Sequence, residues 1–345
     1  MKKTRVAING FGRIGRAFLK IAKDKKEIEI VAINDLGNLE NFAYLLKYDT
    51  VYGKSDFDIG AEKTADGQVL IIDGKKIKFI SEKDPKNLPW KNLDIDVVVE
   101  SSGFFASYEK SKAHLDAGAK RVVISAPVKD EAVGIVGETV LMGINEEKLK
   151  TCDISSNASC TTNAGSPLIA ILDEKIGIEK AILNTVHGYT ASQSLVDSPS
   201  KKDLREGRAA AMNIVPSSTG AAIAMTKAFT SLEGKFDGVS VRVPVVAGSL
   251  VDITFIAKRN TTVEEVNEIL KIASEEARWK NIFSVTEEDL VSSDILGINF
   301  ASIADLKFTR VVNGNLVKVL AWYDNEMGYA RTLAEHVLKS GANVK

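Results

Sequence analysis

The chain has 345 residues, 45% hydrophobic and 26% charged, with a formal net charge of −1. That length accommodates two domains with separate cores, and the composition is that of a soluble globular protein. The balanced charge argues against a mainly electrostatic nucleic-acid partner, and no apolar run is long enough to span a bilayer, so neither nucleic acid nor membrane is an expected partner. Two cysteines, Cys152 and Cys160, form no disulfide framework and match no zinc spacing. A reducing cytoplasmic setting without a bound metal is therefore expected.

Residues 5–9 read as a buried strand, 14–22 as a helix and 28–34 as a second strand. The alternation resumes with a strand over 95–100, a helix over 108–117 and a strand over 121–125. Short apolar runs alternating with helices predict a parallel sheet covered on both faces. Between residues 51 and 80, Asp66-Gly67 and Asp73-Gly74 separate β-rich runs and predict an inserted hairpin. Past Cys160, a helix over 161–175 and a strand over 181–187 lead into residues 188–213, which lack a clear apolar period. So long an irregular stretch is usually functional or disordered. Residues 239–246 and 250–257 then read as paired strands, and 263–277 as an amphipathic helix. A hairpin about Asn313-Gly314 joins 307–312 to 316–323, and a last helix covers 325–339. Long strands with few crossovers predict a mixed or antiparallel second sheet.

Gly10-Phe11-Gly12-Arg13-Ile14-Gly15 fits the G-x-G-x-x-G pattern between a predicted strand and helix. Its glycines permit a tight turn and let the backbone approach a pyrophosphate held by helix-end N–H groups. Asp35 follows Gly15 by 20 residues, at the end of the second strand. A carboxylate there can accept from both ribose hydroxyls and would repel a 2′-phosphate, so NAD is expected over NADP.

Asn157-Ala158-Ser159-Cys160-Thr161-Thr162-Asn163-Ala164 sets a thiol among hydroxyls and amides where a turn could start a helix. Helix-end N–H groups favour thiolate and lower its pKa. His187 ends the strand after that helix, where an imidazole can face the helix N-terminus and form a thiolate–imidazolium pair. A reactive thiol together with a hydride acceptor suggests oxidation of an aldehyde through a thioester. Cys152 reads as structural, and His114 and His336, on predicted helices, as surface or packing residues.

Together these segments resemble the phosphorylating glyceraldehyde-3-phosphate dehydrogenases. Matching stretches are Ile8-Asn9-Gly10-Phe11-Gly12-Arg13-Ile14-Gly15-Arg16, Ala32-Ile33-Asn34-Asp35, Leu45-Leu46-Lys47-Tyr48-Asp49, residues 156–163 and Thr185-Val186-His187. Ser218-Thr219-Gly220-Ala221-Ala222, Val241-Arg242-Val243-Pro244 and Trp322-Tyr323-Asp324-Asn325-Glu326 complete the set in family order. The resemblance implies an α/β fold: a Rossmann dinucleotide-binding domain over 1–158, completed by a C-terminal helix over 325–345, and an α+β catalytic domain over 159–324 with a large mixed or antiparallel sheet. Residues 188–213 would be the S-shaped loop near a neighbouring subunit's cofactor, in a homotetramer.

By the same resemblance, Cys160 attacks glyceraldehyde 3-phosphate and His187 is the base. NAD takes the hydride, and inorganic phosphate cleaves the thioester to 1,3-bisphosphoglycerate. Thr190, Arg242 and Arg205 would hold the substrate phosphate; Ser159, Thr161, Thr219 and Gly220 would hold the attacking one. Gly10, Gly12, Arg13, Ile14, Asp35, Lys83, Ser125 and Asn325 would contact NAD, with Asn325 orienting the nicotinamide carboxamide. Hydroxyls, backbone N–H groups and guanidinium forks suit two anions. Taken singly, Arg242 also fits a salt-bridged strand residue, Thr219-Gly220 a helix start and Asn325 an N-cap.

Several positions depart from the family pattern. Ala164 stands where a second cysteine is common, and Val245-Val246-Ala247-Gly248-Ser249 replaces Thr-Pro-Asn-Val-Ser. Gly137-Glu138-Thr139-Val140 looks like extra length, and Ser101-Ser102-Gly103 replaces Ser-Thr-Gly. An erythrose-4-phosphate dehydrogenase, which hydrolyses its thioester, and a non-catalytic NAD- or RNA-binding relative are the alternatives. Retention of Cys160, His187 and Thr219-Gly220 speaks against both.

Overall fold

The structure, a computed structural model, describes residues 3–65, 67–200 and 203–344. It contains two compact units. Unit 1 comprises Met1–Ala158 and Thr332–Lys345, and unit 2 comprises Ser159–Arg331.

Unit 1 begins with β1 (Thr4–Asn9), α1 (Arg13–Ala22), β2 (Ile28–Asn34) and α2 (Leu39–Lys47). A short ribbon, β3 (Tyr48–Asp49) and β4 (Gly53–Lys54), precedes β5 (Ile59–Thr64), β6 (Gly67–Ile72) and β7 (Lys75–Ile80). Then come β8 (Val97–Glu100), α3 (Tyr108–Asp116), β9 (Arg121–Ile124), β10 (Gly137–Thr139) and β11 (Ile154–Ser156). The nine-stranded sheet has the order β10-β11-β9-β8-β1-β2-β7-β6-β5. Its pairs are parallel from β10 through β7, and antiparallel from β7 to β5. Val97–Glu100 and Arg121–Ile124 are wholly apolar but for their ends and almost entirely buried. That is the signature of strands covered on both faces.

The expected hairpin over 51–80 is part of a three-stranded meander, and its last strand, β7, pairs in parallel with β2. Asp73 and Gly74 turn between β6 and β7 with φ of 47° and 75°, the double positive φ of a tight hairpin turn. Asp66 lies outside the described residues.

The chain passes from β1 to β2 on one side and returns to β8 on the other. The crevice at the C-terminal ends of β1 and β8 is therefore a topological switch point, where open α/β sheets bind ligands. Backbone packing there is tight. A Cβ on Gly10, whose φ is +96°, would stand 2.4 Å from the Ser102 nitrogen, and one on Gly15 would stand 2.2 Å from the Gly10 carbonyl oxygen.

Unit 2 opens with α4 (Cys160–Lys175) and the long β12 (Ile178–Gly188). β13 (Val215–Ser218), α5 (Ala221–Thr226), β14 (Phe236–Val243), β15 (Ser249–Ala257) and α6 (Val263–Ser274) follow. β16 (Phe283–Thr286), β17 (Ser302–Asp305), β18 (Arg310–Val312) and β19 (Leu316–Tyr323) complete a sheet ordered β13-β14-β12-β15-β19-β17-β16, with β18 beside β19. It is mixed: β14 runs parallel to β12, and β15 and β19 run antiparallel. The expected pairing of 239–246 with 250–257 does not occur. β12 lies between those two strands and hydrogen-bonds both, which a local reading of neighbouring runs cannot reveal. Between β12 and β13 the described chain holds only 3-10 turns, Leu204–Gly207 and Ala210–Met212; Lys201 and Lys202 lie outside the described residues. The last helix, α7, is Met327–Ala342, with the Asp324 carboxylate accepting from the Glu326 and Met327 N–H groups at its start. No helix among the described residues is long and apolar enough to cross a membrane.

His114 and His336 are both fully buried. His336 lies 3.0 Å from Asn157 Oδ1 through Nδ1 and 2.7 Å from Ser155 Oγ through Nε2. The amide oxygen only accepts, so Nδ1 carries the proton and Nε2 accepts from the serine. Burial, with Lys339 adding to it, holds the His336 pKa down to about 3 from an ordinary 6.5. On acidification the unfolded chain takes a proton at this residue that the folded chain refuses. Stability is thus fully present above pH 6.5 and is lost as pH falls toward 3. Lowering pH from 7 to 5 should cost about 2 kcal/mol at this residue, and denaturant titration of wild type against His336→Gln should show a shallower acid slope in the variant.

Candidate active site

The unit 2 site starts from the N-terminus of α4. Ser159 is the N-cap, its Oγ accepting from the Thr162 N–H at 3.1 Å and lying 2.8 Å from Thr162 Oγ1. Such a cap contributes about 1 kcal/mol to the helix. It leaves Cys160 at the first helical position. His187 stands next to last in β12, and its Nε2 lies 3.4 Å from Cys160 Sγ. Parallel pairing of β12 with β14 sets His187 opposite Arg242.

His187 Nδ1 lies 2.6 Å from both the Gly188 carbonyl oxygen and Arg242 Nη1. One nitrogen cannot serve both, because it must carry a proton toward the carbonyl and be bare toward the guanidinium. Only the first form leaves Nε2 able to take a proton from Cys160.

The electrostatics differ from the expected ion pair. Burial pushes the Cys160 thiol above its ordinary pKa, with the Arg242 charge and the Thr161 N–H pulling the other way. Burial and then Arg242 hold His187 down to about 3, opposed by its bond to Gly188. Both shifts favour thiol and neutral imidazole over the ion pair. Dense packing around the sulfur outweighs the helix end, although the cysteine keeps some exposed surface.

A second network fixes the Thr161 hydroxyl. Thr185 Oγ1 lies 3.2 Å from the Leu250 carbonyl and 2.7 Å from the Tyr323 hydroxyl, which lies 2.9 Å from Thr161 Oγ1. The carbonyl can only accept, so Thr185 donates to it, Tyr323 donates to Thr185, and Thr161 donates to Tyr323. The Thr161 hydroxyl is also within reach of the sulfur, but its proton is committed to Tyr323. The ring of Tyr323 meets His187 edge-on at 5.8 Å between centroids. Sequence reasoning gave Tyr323 no role; its place in the Trp-Tyr-Asp-Asn run was the available signal.

Of the remaining unit 2 candidates, Thr190 follows β12, Arg205 lies in a 3-10 turn, Thr219 follows β13 and Asn325 follows β19. Thr190 Oγ1 pairs with Ser192 Oγ at 3.0 Å. Thr219 Oγ1 accepts from the Ala221 N–H at 3.2 Å and keeps its own proton to donate, beside Gly220 at the start of α5. Arg205 is exposed and pairs with Asp203 in its own turn. Asn325 is buried, and its Oδ1 accepts from the Gly248 N–H and Ser249 Oγ. It braces the segment that departs from the family pattern, and Val245 in that segment accepts the Tyr189 N–H at 3.0 Å.

In unit 1, Gly12 caps α1 without a side chain, and nothing lies within 4 Å of where its Cβ would stand. Arg13 and Ile14 are the first two helical residues, where backbone N–H groups lack intrahelical acceptors, as an anion site requires. The Arg13 guanidinium is held by Asp49 at 2.8 Å, so its backbone is the part suited to a ligand. Asp35 accepts from the Phe11 N–H through Oδ2 at 2.7 Å and from the Gly37 N–H through Oδ1 at 2.9 Å, tying the glycine loop to the end of β2. Lys83 is exposed on the loop after β7, and Ser125 follows β9. An open glycine cap and an anchored carboxylate fit a dinucleotide. No His, Cys, Asp and Glu cluster among the described residues could hold a metal.

A switch-point crevice with this loop in one unit and a cysteine–histidine pair in the other define a nicotinamide-dependent dehydrogenase with a cysteine nucleophile. Residues 4–108 match the family model for the glyceraldehyde 3-phosphate dehydrogenase NAD binding domain, and residues 159–325 match that for its C-terminal domain. The chain is 48% identical over 334 residues to a glyceraldehyde-3-phosphate dehydrogenase of Thermotoga maritima, covering 96% of this chain and 97% of that one. It is 45% identical over 340 residues to that of Eremothecium gossypii, covering 98% and 99%. The chain belongs to the glyceraldehyde-3-phosphate dehydrogenase family.

The charge of Arg242 opposes burial at Cys160, so Arg242→Leu should move thiol titration to higher pH. Alkylation of Cys160 by iodoacetamide at pH 7 should then slow by about threefold to tenfold; an unchanged or faster rate would contradict that role.

Proposed function

We infer that the protein oxidises glyceraldehyde 3-phosphate with NAD and inorganic phosphate to 1,3-bisphosphoglycerate, a reversible step of glycolysis and gluconeogenesis. The observation that carries the reading is Cys160 Sγ at 3.4 Å from His187 Nε2, at the start of α4. Cys160 attacks the aldehyde carbon while its proton passes to His187 Nε2, giving a hemithioacetal. Its nascent alkoxide is met by backbone N–H groups at the start of α4 and takes that proton back from His187 Nε2. His187, once deprotonated, takes the hemithioacetal hydroxyl proton as the carbon is oxidised, and a thioester remains. Bound NAD⁺ supplies the acceptor for the hydride leaving that carbon. A phosphate oxygen then attacks the thioester carbonyl, the C–S bond breaks, and the thiol is restored.

Arg242 and Thr190, with Arg205 from the neighbouring loop, hold the substrate phosphate. A phosphate that draws Arg242 off His187 Nδ1 frees that nitrogen to donate to Gly188, which makes Nε2 a base. Thr219 and Gly220 hold the attacking phosphate. Ser159 and Thr161 contribute through the helix start they shape, the Ser159 hydroxyl being engaged with Thr162 and the Thr161 hydroxyl with Tyr323. Gly10, Gly12, Arg13 and Ile14 hold the pyrophosphate, Asp35 the ribose, and Lys83, Ser125 and Asn325 the remainder of NAD. Assembly as a homotetramer belongs to the same proposal, supported by the exposed apolar side chains Leu195, Val196, Leu204 and Met212 on the 188–213 loop.

The test follows NADH absorbance with glyceraldehyde 3-phosphate and NAD⁺, with and without phosphate. Sustained turnover that ignores phosphate would reject phosphorolysis in favour of hydrolysis. Cys160→Ser should abolish turnover while NAD still binds. Glyceraldehyde without its phosphate should lose kcat as well as raise KM, because Arg242 then stays on His187. A change confined to KM would rule out that coupling.

A further inference from the structure

Beneath the glycine loop of unit 1 runs a chain of buried polar side chains that the reaction above does not use. Glu100, the last residue of β8, is 2% exposed, and His114 on α3 is fully buried. The Trp90 indole Nε1 lies 3.0 Å from His114 Nδ1. An indole N–H can only donate. Nδ1 therefore accepts, and the ring proton sits on Nε2, 3.0 Å from Glu100 Oε2. The same oxygen accepts from Asn9 Nδ2 at 2.5 Å. Glu100 Oε1 accepts from Ser102 N at 2.8 Å and Ser102 Oγ at 2.5 Å. Asn9 Oδ1 accepts from Asn34 Nδ2 at 2.7 Å, and Asn34 Oδ1 from the Glu82 N–H at 2.9 Å.

The donors of Trp90, His114, Asn9 and Ser102 lead to one carboxylate, the Glu100 sink, while Asn34 Nδ2 donates to the Glu82 carbonyl at 2.9 Å as well as to Asn9. The chain joins the C-terminal ends of β8, β1 and β2 and the loop after β7, which are the strand ends that form the switch-point crevice. It also fixes the Ser102 backbone, which lies against Gly10. Only a carboxylate can accept on both oxygens here. A glutamine would turn its NH₂ toward donors on one side, leaving the network half-satisfied.

We propose that Glu100, oriented by His114 and Trp90, is a positioning residue for the dinucleotide. It sets the Gly10–Gly12 loop against Ser102 and thereby the affinity of the crevice for NAD, without acting on the chemistry at Cys160. The proposal rests on the reading of this crevice as the NAD site.

Calorimetric titration of NAD into wild type, Glu100→Gln, His114→Gln and His114→Leu tests it, with steady-state kinetics in parallel. His114→Gln places an amide N–H where Nε2–H stands and should keep the NAD Kd within about threefold of wild type. Glu100→Gln and His114→Leu should raise Kd by about tenfold or more. Their kcat at saturating NAD should stay within about twofold of wild type, the pattern of a loss of uniform binding. Folded variants that all bind like wild type, or that lose kcat in step with affinity, would overturn the proposal. If Glu100→Gln and His114→Leu do not fold, Trp90→Phe decides, because it removes the donor that orients His114 toward Glu100, and a Kd equal to wild type would overturn the proposal too. Failure of wild type to bind NAD would sink the underlying reading instead.

Discussion

Everything in the unit 2 site hangs on one strand register. β12 pairs in parallel with β14, so His187 and Arg242 are direct neighbours, and a buried imidazole beside a guanidinium is a reluctant proton acceptor. That reluctance works against taking a proton from a thiol, so the charge beside the imidazole bears directly on its use as a base. It also makes Arg242 a participant in the state of the base, because the nitrogen it approaches is the one that must carry a proton when Nε2 receives another. In the proposed reading, a substrate anion that neutralises Arg242 would shift both the charge and the tautomer in the productive direction, and binding energy from a remote phosphate would be spent at the reacting carbon.

Unit 1 works by a different logic. Its loop carries no acid or base for the reaction, only shape: glycines pressed against neighbouring backbone, an anchored Asp35 and a helix start without a capping side chain. Shape of this kind needs a fixed frame, which buried hydrogen bonds between strand ends supply. Glu100 and His114 belong to that frame.

Much of this was legible in the sequence. β2 at Ile28–Asn34 and β19 at Leu316–Tyr323 are apolar runs bounded by turn residues, and their limits coincide with those read from the sequence. The glycine loop and the thiol among hydroxyls announced their chemistry through residue type alone. Pairing was less accessible: β14 and β15 are neighbours in sequence, but β12 comes between them, and non-local register leaves no trace in a short window. The short strands Phe283–Thr286 and Ser302–Asp305 and the helix Leu39–Lys47 passed unread for want of a long period. Hydroxyl direction was also hidden. Ser159 and Thr161 look alike as phosphate ligands until Tyr323, far along the chain, takes the threonine proton.

The donor chain from Thr161 through Tyr323 and Thr185 to the Leu250 carbonyl has a bearing on how this family can diverge. Each hydroxyl in it gives one proton forward and, after Thr161, receives one from behind, so no member can be exchanged alone for an apolar residue of similar shape. Phenylalanine at 323 would take the acceptor from Thr161 and the donor from Thr185, and valine at 185 would leave the phenol without an acceptor. Positions 161, 185 and 323, scattered over more than half of unit 2, are therefore bound to change together or not at all. Among relatives, a substitution at one should be found with a compensating one at the others.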